Sequence, residues 1–504
     1  MRSFGEIKVA RMRYFLPATT LVTLLGASGP VLAFDMRTHS AMTSEAMAAS
    51  KFGRDANASA VTRRLGLVDY PPSLTTRFPT LGVKYLDVGS TIKSRDALAI
   101  EFRIMEEVRQ AYNAALQLPH ELALIGWVMR GAIREDDNRL ETPIERGGDE
   151  PGGIFNRVFG HFFDPVVNRG LTVAGVQVGA RAIDWAQQSG ATVTSLPTSF
   201  ANRENHYKTL DAREAMWRAL TLKTAAMGDG VFPDGWTTDA TGRESLRKAY
   251  WATTFRALGD VVHLVQDMAQ PQHTRNDIHS GVGCVPGLGC AFGHDSYFEK
   301  HLRARTVGER QVVITEGLTG PNGESLISIT PTKLDYSPYL KPLFNSYAEY
   351  FSTGTGSANS TGRGLANYSN RGFYSAGTII GSLAGAQYPS PNPSGSGLSY
   401  YPVTPPELID SAGSPLPPGS SMILRKGSVD DTLRGTPDND VPLAAVGSWD
   451  QFLQQKNPGW SSHTLNHINY DAMAKLLVPR AVAYSAGLID YFFRGQLYVA
   501  PPAE

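Results

Sequence analysis

In the stretch HLVQDMAQPQHTRND, running from His263 to Asp277, three residues have the types and spacing to hold a metal ion: His263, Asp267 and His273. His263 and Asp267 stand four apart inside an apolar helical pattern, and side chains at i and i+4 stack on one helix face. An imidazole and a carboxylate so placed can chelate one cation without backbone strain. They can equally form a buried hydrogen-bonded pair or a surface ion pair. Pro271 then stops the helix, and His273 is expected on an extended segment that points back toward the same end. His279, His294 and Glu299 follow, and with His301 five of the chain's eleven histidines fall in residues 263–301. Zinc is the natural ion for imidazole and carboxylate donors, and several of these with almost no cysteine point to a catalytic rather than a structural site.

The elements that must position these donors are helices. Apolar residues recur at three- and four-residue spacing over roughly 38–51, 97–117, 120–135, 173–190, 203–228, 243–270 and 294–306. The stretch 470–495 restores that pattern, with a kink expected at Pro479. Strand-like alternation is scarce, VVIT at 312–315 being a short exception. Residues 307–440 change character: STGTGSANSTGRG and YPSPNPSGSGLSYYP predict a long excursion of loops with one helix near 340–352. The expected fold class is all-α. It comprises a helical core over 34–306, a Gly/Ser/Pro/Tyr-rich insertion over 307–440, and a segment over 441–504 carrying the closing helix.

Residues 1–33 read as an export signal. Arg2, Lys8, Arg11 and Arg13 precede the apolar stretch FLPATTLVTLLGASGPVLA, and Val31 and Ala33 offer the small residues of a cleavage site. Pro17, Gly26 and Pro30 interrupt the apolar run, which argues against an anchor. A later apolar run contains Arg480 and Asp490, which argues against a span. A secreted or periplasmic protein starting at Phe34 is therefore expected. Its 43 basic and 46 acidic residues, after four basic and one acidic are removed, lack the excess that grips phosphates, so no stable nucleic-acid complex is expected. The two cysteines, Cys284 and Cys290, lie six apart in CVPGLGC and are expected to close a small disulfide loop in an oxidising compartment.

The spacing of His263, Asp267, Pro271 and His273 resembles the His-x3-Asp-x5-His signature of bacterial zinc-dependent phospholipases C and the related fungal and plant single-strand nucleases. Other stretches match in that family's order. FDMRTH makes His39 the sixth residue of the processed chain, as in the nucleases. GAIREDDN resembles the segment that supplies a zinc-bound Asp, here Asp136, with Asp137 as its neighbour. GHFFDP is close to the phospholipase HFWDP and maps a ligand onto His161. GHDSYFEK resembles the closing His-x3-Glu/Asp pair, and YDAMAKLLVPRAVAYSAGLIDYFFRG is similar to the last catalytic-domain helix.

The resemblance implies three zinc ions, or two if one site is incomplete. One would be held by Asp136, His161, His263 and Asp267. A second would take the Phe34 terminus, His39 and the other oxygen of Asp267. The third would use His273, His294 and Glu299. Asp136 takes the role of proton acceptor. Two departures stand out. Phe34 replaces the family's N-terminal Trp, although the contact there is through backbone atoms. His294 and Glu299 are five apart rather than four, which on a regular helix swings them about 140° from each other; Asp295 is the alternative carboxylate.

Around these ligands, Arg275 and Asp277 are expected to hold the loop after His273, with Arg275 also a candidate contact for a substrate phosphate. His279 is expected to be a loop histidine in water or a group orienting a ligand. His463 and His467 are expected to be capping or surface groups. A cluster of zinc ions with few thiolates suits phosphate-ester hydrolysis. GHFFDP, the near-neutral charge and the Tyr-rich excursion favour cleavage of phospholipid to diacylglycerol and a phosphorylated head group, with peripheral contact to a membrane surface. A single-strand nuclease or nucleotidase shares the metals, and a non-catalytic secreted protein on a zinc scaffold is the third reading.

Overall fold

The computed structural model describes residues 36–51, 124–135, 158–173, 176–187, 191–192, 202–203, 205, 207–222, 240–279, 282–285, 289–292, 297–307, 334–375, 394–402, 421–446, 450, 452, 455–456 and 463–494. Most of them are helical, as the periodicity predicts. Helix α1 spans Met36–Ala49 and α2 spans Leu124–Arg134. A 3-10 turn, Val158–His161, leads to a two-stranded hairpin of β1 (Thr172–Val173) and β2 (Val176–Gln177), then to the short helix α3 (Ala182–Gln187). The helix expected over 173–190 is thus a hairpin followed by a shorter helix. Between the hairpin and the helix the chain passes close to its neighbour at Gly179, where a Cβ would lie 1.9 Å from the Phe159 carbonyl oxygen.

A second hairpin pairs β3 (Ala191–Thr192) with β4 (Asn202–Arg203), and helix α4 runs Thr209–Thr221. The longest helix, α5, spans Ala240–Asp267 and packs against α2 and α4. After a turn, Pro271 starts a single helical turn, α6 (Pro271–Thr274), where the missing proline N–H costs nothing. His273 therefore sits on a helical turn and not on the extended segment expected. Strands β5 (Val282–Val285) and β6 (Gly289–Phe292) form a hairpin with Cys284 opposite Cys290. The cysteine side chains, and so the expected disulfide, lie outside what is described. Helix α7 follows at Tyr297–Val307. The expected helix 97–117 and strand 312–315 also fall outside the described residues.

The region expected to be looped carries regular structure. Helices α8 (Tyr347–Phe351) and α9 (Leu365–Gly372) precede a three-stranded antiparallel sheet of β7 (Ser394–Pro402), β8 (Ser421–Val429) and β9 (Asp438–Ala445), in sequential order. Its apolar residues are distributed for burial, not for solvent. Phe344, Tyr350, Phe351, Leu365, Phe373, Val429, Val441 and Leu443 all join the main core. The composition masked this, because Gly and Ser between the strands outweigh a few well-spaced apolar residues in any window.

The closing helix, α10 (His467–Phe492), continues through Pro479 and packs on α1, α5 and β9. Its length and apolarity would suit a membrane span, but here most of it is buried within the fold. Arg480 is buried between the rings of Tyr339 and Tyr368 and donates to Asp431 (2.7 Å) and Asp438 (2.5 Å). Asn466 caps the helix, accepting from the Ile468 and Asn469 N–H groups. His463 and His467, expected to cap or to lie at the surface, are both buried; His463 accepts from Arg425 at 3.0 Å.

Helices α2 and α5 cross at two glycines. A Cβ on Gly131 would stand 2.1 Å from the Arg256 carbonyl oxygen, and one on Gly259 the same distance from that of Val128. Only hydrogen side chains permit this approach. It brings the Ala132 carbonyl within 2.7 Å of His263 Nδ1.

Candidate metal centre

Two groups of buried side chains in the core could each hold a metal ion: His39 with His263 and Asp267, and His273 with His279 and Glu299. In the first, α1 supplies His39 and α5 supplies the i,i+4 pair. His39 Nε2 lies 3.3 Å from Asp267 Oδ1, and His263 Nε2 lies 3.3 Å from Oδ2. The two rings stack with centroids 3.6 Å apart. Each ring is held from behind. His263 Nδ1 donates to the Ala132 carbonyl, and His39 Nδ1 donates to Gln266 Oε1 at 2.7 Å. Gln266 Nε2 in turn donates to Thr43 Oγ1 at 3.0 Å, which fixes the amide with its oxygen toward His39. With the hydrogens on Nδ1, both Nε2 lone pairs face the carboxylate, the tautomer a metal ligand needs.

Oδ2 of Asp267 also meets two further histidines. His161 Nδ1 is 3.1 Å from Oδ2, and His273 Nδ1 is 3.6 Å from the same oxygen. His161 ends the 3-10 turn, where Gly160 allows the Trp185 indole to lie against the backbone. That indole donates from Nε1 to Glu135 Oε1 at 2.8 Å, and the same carboxylate oxygen lies 3.6 Å from His161 Nε2.

In the second group His279 Nε2 is 2.8 Å from Glu299 Oε1 and 3.3 Å from His273 Nε2. His273 Nδ1 donates to the His161 carbonyl and His279 Nδ1 to the Asp277 carbonyl. Both hydrogens are thereby on the outer nitrogens, and two Nε2 lone pairs face each other beside a carboxylate. A cation between them converts that repulsion into ligation. Phe162 stacks on the His273 ring, centroids 4.5 Å apart, and closes one face to water.

The electrostatics favour positive charge at this place. Burial opposes ionisation of Asp267, yet His273, His263 and His161 hold its carboxyl well below the usual carboxylate range. Burial, then the neighbouring His263, lowers His39 to about 4, and burial lowers His273 to about 4. Burial works the same way on His161, but Asp267 and Glu135 outweigh it and push that imidazole up to about 10. Three buried carboxylates, Asp267, Glu135 and Glu299, thus gather with two imidazoles held neutral, His39 and His273, and one held cationic, His161. Both Asp267 oxygens, both His161 ring nitrogens and His263 Nε2 make no hydrogen bond among the described residues. Buried polar atoms of this kind are normally satisfied, so their convergence fits a bound ion.

Of the residues singled out in the sequence, His39, His161, His263, Asp267, His273 and Glu299 converge here. Phe34, Asp136, Asp137, His294 and Asp295 lie outside the described residues. One expectation is corrected. His279 is buried and faces Glu299, because the loop after α6 folds back over α7; it is neither solvated nor peripheral. Glu299 therefore needs no partner four residues away on its own helix. Arg275 is also buried and donates to the Asn370 carbonyl at 2.7 Å, which fits the expectation that it holds the loop after His273. Glu135 was missed, and its only sequence signal was its place beside Asp136 at the end of an amphipathic helix.

These features define a mainly helical protein with a buried His/Asp/Glu centre suited to metal ions. Comparison of the chain with known protein families, curated proteins and solved structures returns no match.

Proposed function

We propose that this chain is a secreted zinc-dependent phosphodiesterase of the phospholipase C type, releasing diacylglycerol and a phosphorylated head group. The observation that carries the reading is Asp267, buried with one oxygen toward His39 and the other toward His161 and His263, the placement of a carboxylate shared between two ions. The motif order of His39, His161, His263, Asp267 and His273 supports the family resemblance. Zinc in this centre would supply positive charge to the phosphate oxygens and acidify the attacking water. The chain's own groups do the rest. Asp267 spaces the two halves of the centre, the Nδ1 hydrogen bonds keep the rings aimed, and Phe162 shields His273 from solvent. Asp136, next to the buried Glu135, is the proposed proton acceptor. Export after residue 33 would free the Phe34 amine for the same centre, in a compartment where Cys284 and Cys290 can oxidise.

The test is an activity panel on the mature protein with phosphatidylcholine, single-stranded DNA and a nucleoside monophosphate, before and after chelation. Diacylglycerol release that is lost on chelation is expected. Asp136→Asn should lower kcat about 10²–10⁴-fold, a far larger loss than that in metal content. Hydrolysis of nucleic acid without lipid turnover would replace the lipid with a nuclease substrate. Activity indifferent to chelator and to His263→Ala would remove the metal reading.

A further inference from the structure

The turn that carries His273 is held from outside the helical core by a helix about ninety residues further along the chain. Ser369 and Asn370, adjacent on α9, both reach the backbone around α6. Ser369 Oγ donates to the Met268 carbonyl at 2.6 Å and pairs with Thr274 Oγ1 at 3.1 Å. Asn370 Nδ2 donates to the Thr274 carbonyl at 2.5 Å, and its own carbonyl accepts from Arg275 at 2.7 Å. These contacts bracket His273 on both sides and satisfy carbonyls that the break at Pro271 leaves without helical partners.

The clamp is itself oriented. Asn359 Nδ2 donates to Asn370 Oδ1 at 3.0 Å, so the Asn370 amide can present only its nitrogen to Thr274. Asn367 Nδ2 donates to Asn359 Oδ1 at 2.9 Å and completes a buried row of three amides. On its other face α9 is seated on the sheet. Tyr368 donates to Asp438 at 2.8 Å, and Gly372 lies against Val429, where a Cβ would meet the valine at 2.6 Å.

We infer that Ser369 and Asn370 are positioning residues for the second metal group, and that α9, seated on β8 and β9, sets the geometry of His273 against His279 and Glu299. This rests on the metal reading above. The ligands of the first group stand on α1 and α5; Asn370 meets only the Thr274 and Arg275 side of the turn, whereas Ser369 also holds the Met268 carbonyl beside Asp267, so it is the loss of the Asn370 arm that is confined to the second site.

The test is a Co²⁺ titration of the full chain after chelation, followed by the ion's visible absorption, with Glu299→Gln marking the phase that belongs to the second group. Asn370→Asp keeps the size of the side chain and the acceptor for Asn359 but removes the donor to Thr274. It should weaken the second phase about 10–100-fold, in the range of groups that orient metal ligands, and leave the first unchanged. Ser369→Ala should also weaken the second phase, with a smaller effect on the first through Met268, and Ser369→Thr, which retains the hydroxyl, should recover both. Isotherms of Asn370→Asp and Ser369→Ala that superimpose on the wild type, or an equal weakening of both phases, would overturn the clamp alone. A wild-type chain that takes up no Co²⁺ would overturn the metal reading and the clamp together.

Discussion

Replacing Asp267 by Asn removes one negative charge and almost no volume, so it isolates the electrostatics of the centre. The carboxylate is fully buried, and four imidazole nitrogens lie within 3.1–3.6 Å of its oxygens. A divalent ion about 4 Å from a unit charge gains roughly 8 kcal/mol at an effective dielectric constant of 20, and the amide oxygen of Asn keeps part of this. If half survives, each ion loses about 4 kcal/mol, close to a thousandfold in Kd. Both ions should be affected, because the two oxygens face different partners. Zinc affinity of the chelated protein, measured by competition with a chromophoric chelator, checks this, with thermal unfolding of the metal-free forms as the control for folding. A variant that still binds zinc within tenfold of the wild type would refute the shared-carboxylate argument. Loss of a single ion would show that only one oxygen ligates.

Gly131→Ala should destabilise by about 1–3 kcal/mol, since the added carbon would meet the Arg256 backbone and force α2 from α5. Helix propensity alone predicts the opposite sign, so a higher Tm for the variant would refute the close crossing. Burial lowers His467 to about 4, against an ordinary value near 6.5, in a setting shared with Asp471, His301 and Arg305. Between those two values the unfolded chain binds the extra proton. Stability is therefore lost as pH falls from about 6.5 to about 4, by up to about 3 kcal/mol from this residue. His467→Gln should flatten that part of the pH dependence in urea unfolding, and an unchanged slope would count against its burial as a neutral ring.

Much of the helical framework was legible because its signal is local. Apolar spacing marks α1, α2, α5 and α10 closely, since each buries a stripe along its own length. The strands β7 to β9 were hidden by the Gly and Ser around them, and only the fold shows β9 packed against α10. The hairpin at 172–177 was misread as helix, and the close approach of Gly179 to Phe159 that follows it is a contact with another part of the chain, invisible in any window of sequence. The site divides in the same way. His263 and Asp267 are one helical turn apart, so their pairing follows from the sequence, and the motif order added His39, His161 and His273.

His279 and Glu135 belong to the centre only through folding. One comes from a loop and the other from a helix end, and neither has a periodic partner. Arg275 was expected to hold the loop after His273, but its partner, the Asn370 carbonyl on α9 some ninety residues later, is visible only in the fold. By itself the sequence determined which residue types could bind a cation and which two must share a helix face, because helical geometry relates neighbours along the chain. The tertiary structure alone decided which carboxylates and imidazoles meet across the core, because those distances are set by how closely α2 and α5 cross and by what holds the turn at His273.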